Sequence, residues 1–121
     1  MTSTRKLLTL LCCYLCGVLL LSAQQGTKQT PPLGIWEGAL EVSGTELPLR
    51  FNIFRDQQER VCCTMDSPSQ MATGIEATIK LADGIVITIP NLYVRYEGKL
   101  TSSDTIVGTF AQGGMSLPLT L

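Results

Sequence analysis

The chain has 121 residues, room for a single domain. Its formal net charge of −1 supplies neither a basic stripe for nucleic acid nor a polybasic patch for anionic lipid. No histidine occurs anywhere, which removes the commonest general base and the commonest metal ligand together.

The N-terminus has the pattern of an export signal. Arg5 and Lys6 form a positive start, Leu7 to Leu21 is an uncharged leucine-rich run, and Ser22-Ala23 precede polar Gln24 and Gln25. Residues 1–23 are therefore expected to be a signal peptide cut after Ala23, with the mature protein exported to the periplasm or the extracellular space. A membrane anchor would need about 20 apolar residues, more than this run has. No stable membrane insertion is expected after the cut. Residues 24–33, polar and proline-bearing, are expected to be a flexible lead-in.

From Gly34 onward the hydrophobic pattern has period two, the signature of strands. Residues 35–42 place Trp36, Gly38, Leu40 and Val42 on one face, and residues 46–54 place Leu47, Leu49, Phe51 and Ile53 there. Ser43-Gly44-Thr45 between them is a hairpin loop. In residues 60–66, Val61, Cys63 and Met65 alternate against Arg60, Thr64 and Asp66, which are expected to face solvent. Ser67-Pro68 is the turn that ends this strand. Residues 75–81 turn Ile75, Ala77, Ile79 and Leu81 inward, and Asp83-Gly84 leads into Ile85, Ile87 and Ile89. Val94, Tyr96, Gly98 and Leu100 form the next inward row, then Ile106, Gly108 and Phe110. After Gly113-Gly114 come Met115, Leu117, Leu119 and Leu121.

About eight short strands with turns every 8–12 residues or so indicate an all-β sandwich or barrel. The inward glycines decide for a barrel. Gly38, Gly98 and Gly108 each stand two residues from an aromatic (Trp36, Tyr96, Phe110), the arrangement that lets a strand bend while a ring covers the gap. The short connections suit an antiparallel up-and-down meander over 34–121, and closure would remove the exposed edges. Pro48 and Pro118 fall inside strands and are expected at bulges or frayed edges, because each lacks a ladder donor.

The residues offer no catalytic constellation. A serine triad has no histidine to use, no G-x-S-x-G elbow is present, and the carboxylates are scattered singly along outward faces. No metal-ligand spacing or phosphate-cradling loop occurs, so no cofactor or metal is expected. Three of the five cysteines lie in the leader, and adjacent Cys62 and Cys63 point to opposite faces of a strand, an arrangement that disfavours a disulfide between them. Inward Trp36, Phe51, Tyr96 and Phe110 are candidates for lining a ligand site, or else are simply the core that fills a small barrel.

Gly34-Ile35-Trp36-Glu37-Gly38, Leu47-Pro48-Leu49, Met65-Asp66-Ser67-Pro68-Ser69-Gln70, Gly74-Ile75, Tyr96-Glu97-Gly98, Gly108-Thr109-Phe110, Gln112-Gly113-Gly114-Met115 and Leu117-Pro118-Leu119 occur in this order. Together they resemble the lipocalin-like N-terminal β-barrel domain that precedes the catalytic domain in secreted bacterial α/β-hydrolases. The resemblance runs from about Gly34 to Leu121 and departs at Glu76, where that family tends to carry proline. It implies a non-catalytic accessory or interaction module of an exported hydrolase system. The chain ends about where the family's hydrolase domain would start, so no catalytic residue carries over. The alternative is a small carrier of an apolar ligand. A packed interior would favour the accessory module with a hydrolase domain as partner. An open apolar cavity of at least about 300 Å³ would favour the carrier.

Overall fold

The computed structural model describes residues 30–121; the expected leader, its cleavage point and most of the lead-in lie outside that range. Eight strands follow one another: β1 (Gly34–Val42), β2 (Thr45–Arg55), β3 (Val61–Ser67), β4 (Ala72–Leu81), β5 (Ile85–Ile89), β6 (Val94–Ser102), β7 (Thr105–Gln112) and β8 (Met115–Thr120). Each pairs antiparallel with the next, in spatial order β1 to β8, as expected for an up-and-down meander. β8 rests against β1, but no ladder joins them, so the barrel is nearly closed. The compact unit starts at Pro31. Pro32 is buried, and its carbonyl accepts a 2.9 Å hydrogen bond from the Trp36 indole.

Turn chemistry sets the register. Ser43 and Gly44 both have positive φ (53° and 79°), as do Gly113 and Gly114 (54° and 87°). Two successive positive φ values make the I′ turn whose twist matches the strands it joins.

Of the two places expected for the prolines, bulge or frayed edge, the structure gives the second: neither sits at a bulge, and each nitrogen faces a side with no ladder partner. In a two-residue hairpin the pair that closes the loop is hydrogen-bonded, and bonded and non-bonded pairs alternate from there. Val42–Thr45 closes the first loop, which makes Ala39–Pro48 a non-bonded pair and turns the Pro48 nitrogen toward β3. Pairing of β2 with β3 begins only at Arg50, so no donor is missed. Thr109–Pro118 is non-bonded for the same reason, and the Pro118 nitrogen faces the seam with β1. Reciprocal bonds between Ile106 and Leu121 (3.0 and 2.7 Å) extend the same alternation.

Register breaks occur elsewhere, between Met65 and Ser67 on β3 and between Leu100 and Ser102 on β6. The first is an extra residue on β4 beside Gly74, whose φ is +65°. It turns the Gly74 N–H onto the Asp66 carboxylate at 2.7 Å, while Asn52 Nδ2 donates from 3.3 Å and Arg50 lies 3.7 Å away. Asp66 is therefore buried, not solvent-facing as its place in the alternation suggested. Leu100, expected inward, is exposed beside the second break.

The inward glycines are where backbones meet. Gly98 and Gly108 pair directly across β6 and β7. A Cβ on Gly108 would stand 2.2 Å from the Glu97 carbonyl oxygen and 2.7 Å from the Tyr96 hydroxyl; one on Gly98 would strike the Tyr96 ring at 2.8 Å. The Tyr96 ring thus occupies the space that two side chains would need. At the seam, a Cβ on Gly38 would lie 2.3 Å from the Thr120 carbonyl oxygen, so glycine is what lets β8 approach β1.

These contacts predict that Gly108→Ala destabilises the barrel by about 1–3 kcal/mol or more, since backbone must move to admit the methyl. Gly113→Asn, at a positive φ with open space around it, should be near neutral. Trp36→Ala should cost about 3–5 kcal/mol, the range for a buried large aromatic. Urea melts of the three variants check all of this, and a near-neutral Gly108→Ala would contradict the close-approach account.

Candidate functional site

Because strands alternate in direction, the connections divide between two ends. The turns at 43–44, 68–71, 90–93 and 113–114 share one end, and those at 56–60, 82–84 and 103–104 share the other with Gly34 and Leu121. Three of the four ligand-lining candidates belong to the packed part of the interior. Trp36 is bonded to Pro32, and the Phe51 and Tyr96 rings stack at a tilt of 33° with centroids 5.6 Å apart. The Tyr96 hydroxyl donates to the Leu119 carbonyl at 2.9 Å. Phe51 and Tyr96 have no exposed surface at all. They are core.

Only Phe110, the fourth, borders a cavity. The cavity has a volume of about 300 Å³ and opens at the 43–44 end. β4 is the cause. It pairs with β3 through Ala77 and with β5 only from Thr78, so its first half leaves a wedge beside the β5–β6 connection. Ile75, Ala77, Ile79 and Leu81, expected to be core, are in consequence only half-buried. Leu40, Leu47, Leu49, Met65, Ala72, Ile75, Leu92 and Phe110 supply the cavity's apolar wall. Ser67, Gln70 and Gln112 supply its polar groups. The buried Ser67 hydroxyl donates to Gln70 Oε1 at 2.8 Å, and Gln112 Nε2 donates to the Leu92 carbonyl at 3.2 Å. These are neutral hydrogen-bonding groups around an apolar hollow, suited to holding an uncharged molecule. Wider depressions of about 600 Å³ over β5–β6 and about 460 Å³ beside Cys62 are open to solvent and lined largely by outward-facing side chains.

Two one-turn 3₁₀ helices frame the opening, Pro68–Gln70 and Pro90–Leu92. Proline at the first helical position brings a preset φ and lacks only a donor that would go unused there. Each helix ends on a left-handed residue, Met71 (φ 57°) and Tyr93 (φ 54°), whose N–H returns to the proline carbonyl. Ser67-Pro68 is legible in the sequence as a turn, whereas its twin and the roles of Gln70, Ala72, Leu92 and Gln112 are not. Pro90, one position into a break between apolar runs, was the available signal.

At the other end, Asp56 organises the β2–β3 connection. Its carboxylate is held below the usual range mainly by the Arg60 N–H, with help from the Arg60 guanidinium and the Gln58 N–H. Cys62 and Cys63 are separate thiols, Cys63 buried and Cys62 half-buried on the opposite face. Burial, then proximity to Cys62, pushes the Cys63 thiol up to about 12 from 9.0. Burial pushes the Tyr96 phenol up to about 12 from 10.0. The folded barrel therefore keeps protons that the unfolded chain has already released. Stability from these groups is full below the unfolded values and is lost as pH rises through the folded ones.

Urea midpoints should thus be level up to about pH 9 and fall between about 9 and 12. In Cys63→Ala the fall should begin nearer 10, where Tyr96 alone drives it. A midpoint level to above pH 11 or so would contradict this linkage.

Against this geometry, comparison finds that no family model, no curated protein and no solved structure matches the chain.

Proposed function

We propose that this protein is an exported, non-catalytic binding barrel that holds a small apolar ligand in the cavity beside β4. The half-filled interior carries the reading: packed around Phe51 and Tyr96, it opens toward the 43–44 end into about 300 Å³ with mostly aliphatic walls. That volume is at the lower limit for small-molecule sites, which suits one short aliphatic or single-ring ligand. Ser67, Gln70 and Gln112 would orient its polar end by hydrogen bonds, at little cost for an uncharged group.

The resemblance to the hydrolase-associated barrel supports a second reading, an accessory module of an exported hydrolase. The packed half of the interior favours it, since a barrel that only docks or stabilises a partner needs no cavity. The two readings are compatible where the ligand is an acyl chain delivered to, or taken from, such an enzyme.

Titration with 1-hexanol or toluene, followed by methyl NMR, tests the first reading. Saturable shifts are expected at Met65, Ala72 and Ile75, with none at Ile53 or Ile106 in the packed half. Ala72→Phe should fill the hollow, leave the fold intact and weaken binding at least about tenfold, equivalent to about 1.4 kcal/mol. An absence of saturable shifts at those methyls would remove the carrier reading and leave the accessory one.

A further inference from the structure

The two ends of the barrel differ in charge. None of the twelve residues in the connections at 43–44, 68–71, 90–93 and 113–114 is charged. The opposite connections carry Asp56, Glu59, Arg60, Asp83 and Asp104. Exposed apolar side chains toward the charged end (Leu33, Ile35, Phe54 and Leu100) lie in strands or the lead-in, whereas the uncharged end carries them on or directly beside its turns: Met71 is 93% exposed, Tyr93 79%, Met115 47% and Leu92 38%. Three of them adjoin one another, and Met71 stands between cavity-lining Gln70 and Ala72. Leu92 lines the cavity, the Tyr93 carbonyl accepts from Gly113 N–H, and Met115 follows directly after that turn.

Met71 and Tyr93 are the informative members. Both occupy the left-handed region, where non-glycine residues are uncommon and asparagine is better tolerated. Neither choice serves the interior, since both side chains stand in water. Backbone strain and apolar exposure coincide twice, on two independent turns, at one end.

We propose that this end is a membrane-contact face: Met71, Leu92, Tyr93 and Met115 enter the interfacial layer of a zwitterionic bilayer while the charged end stays in water. Area argues against a protein partner. Four such side chains offer a few hundred Å², short of the roughly 800 Å² per partner in a stable interface. The headgroup layer accepts separate apolar tips, and tyrosine is enriched there. Charge selects the lipid. The exposed charges nearest this end are Glu41 and Glu46, which flank the 43–44 turn, and Arg95, which is paired with Glu97, so they give no net attraction to an anionic surface. The face rests on rim geometry and charge, independently of what the cavity holds, although a ligand entering from the bilayer would pass this rim.

Flotation of the full chain with phosphatidylcholine vesicles, paired with NMR using a gadolinium-chelating lipid, tests the proposal. Amide broadening is expected at 68–71, 90–93 and 113–115 and not at 56–60, 82–84 or 103–104. The double variant Met71→Asn, Tyr93→Asn should lower partitioning about tenfold or more. Its thermal midpoint should stay level or rise, because asparagine suits positive φ, so lost binding would not reflect lost folding. Partitioning of the wild type should be insensitive to salt, as a zwitterionic bilayer carries no net charge. Broadening at the charged end, equal partitioning of wild type and double variant, or self-association through the rim in place of vesicle binding would each overturn the assignment.

Discussion

Tyr96 is the contact on which the barrel's shape depends. Its ring lies over Gly98 and its hydroxyl over Gly108, in the space their side chains would fill, and the hydroxyl donates to the Leu119 carbonyl on β8. One residue thereby holds three strands at a fixed separation. Glycines in mid-strand weaken a sheet by themselves, and an aromatic that covers them restores the lost contact. The hydroxyl would be costly in an apolar interior without a partner, so its bond to β8 also fixes where the last strand lies. Among the described residues, no buried side-chain nitrogen or oxygen lacks a partner.

β4 has the opposite character. By changing partners between Ala77 and Thr78 it connects the two halves of the sheet and leaves a wedge. The irregularity at Gly74 lies on the same strand, three residues before that change. Asp66, Asn52 and Arg50 hold that irregularity in place, and Asp66 is buried as a consequence. The cavity is therefore a product of sheet geometry, not of small side chains. Isoleucine and leucine on β4 remain half-buried because no neighbour on the open side covers them.

Packing, opening and rim then fall into sequence along the barrel axis. The end with the charged connections is closed by Trp36, Ile53, Ile106 and Leu121, all buried. The end with uncharged turns holds the hollow and its apolar surround. The axis thus has one pole with charged connections and one without, and the cavity opens toward the latter.

Period-two alternation was legible in the residues and determined the strands, their inward faces and the all-β meander, because a strand's two faces meet different surroundings at every second position. Glycine likewise announced turns at Ser43-Gly44 and Gly113-Gly114, although their two-residue I′ form came only from the structure. The inward glycines beside Trp36, Tyr96 and Phe110 were legible as bends covered by the neighbouring ring, which holds for Gly98 under Tyr96. That Gly108 also meets Tyr96 and Gly38 meets the β8 backbone came from the structure. Tertiary structure alone decided the rest. Whether Trp36, Phe51 and Tyr96 filled the interior or lined a site turned on cross-barrel distances that alternation does not contain. The safe placement of Pro48 and Pro118 depended on counting bonded pairs from each turn and on where β3 begins. Asp66 was buried by an irregularity in a different strand, and the cavity followed from β4 changing partners. Each of these arises between segments distant in the chain, where local pattern carries no information about which backbone lies opposite.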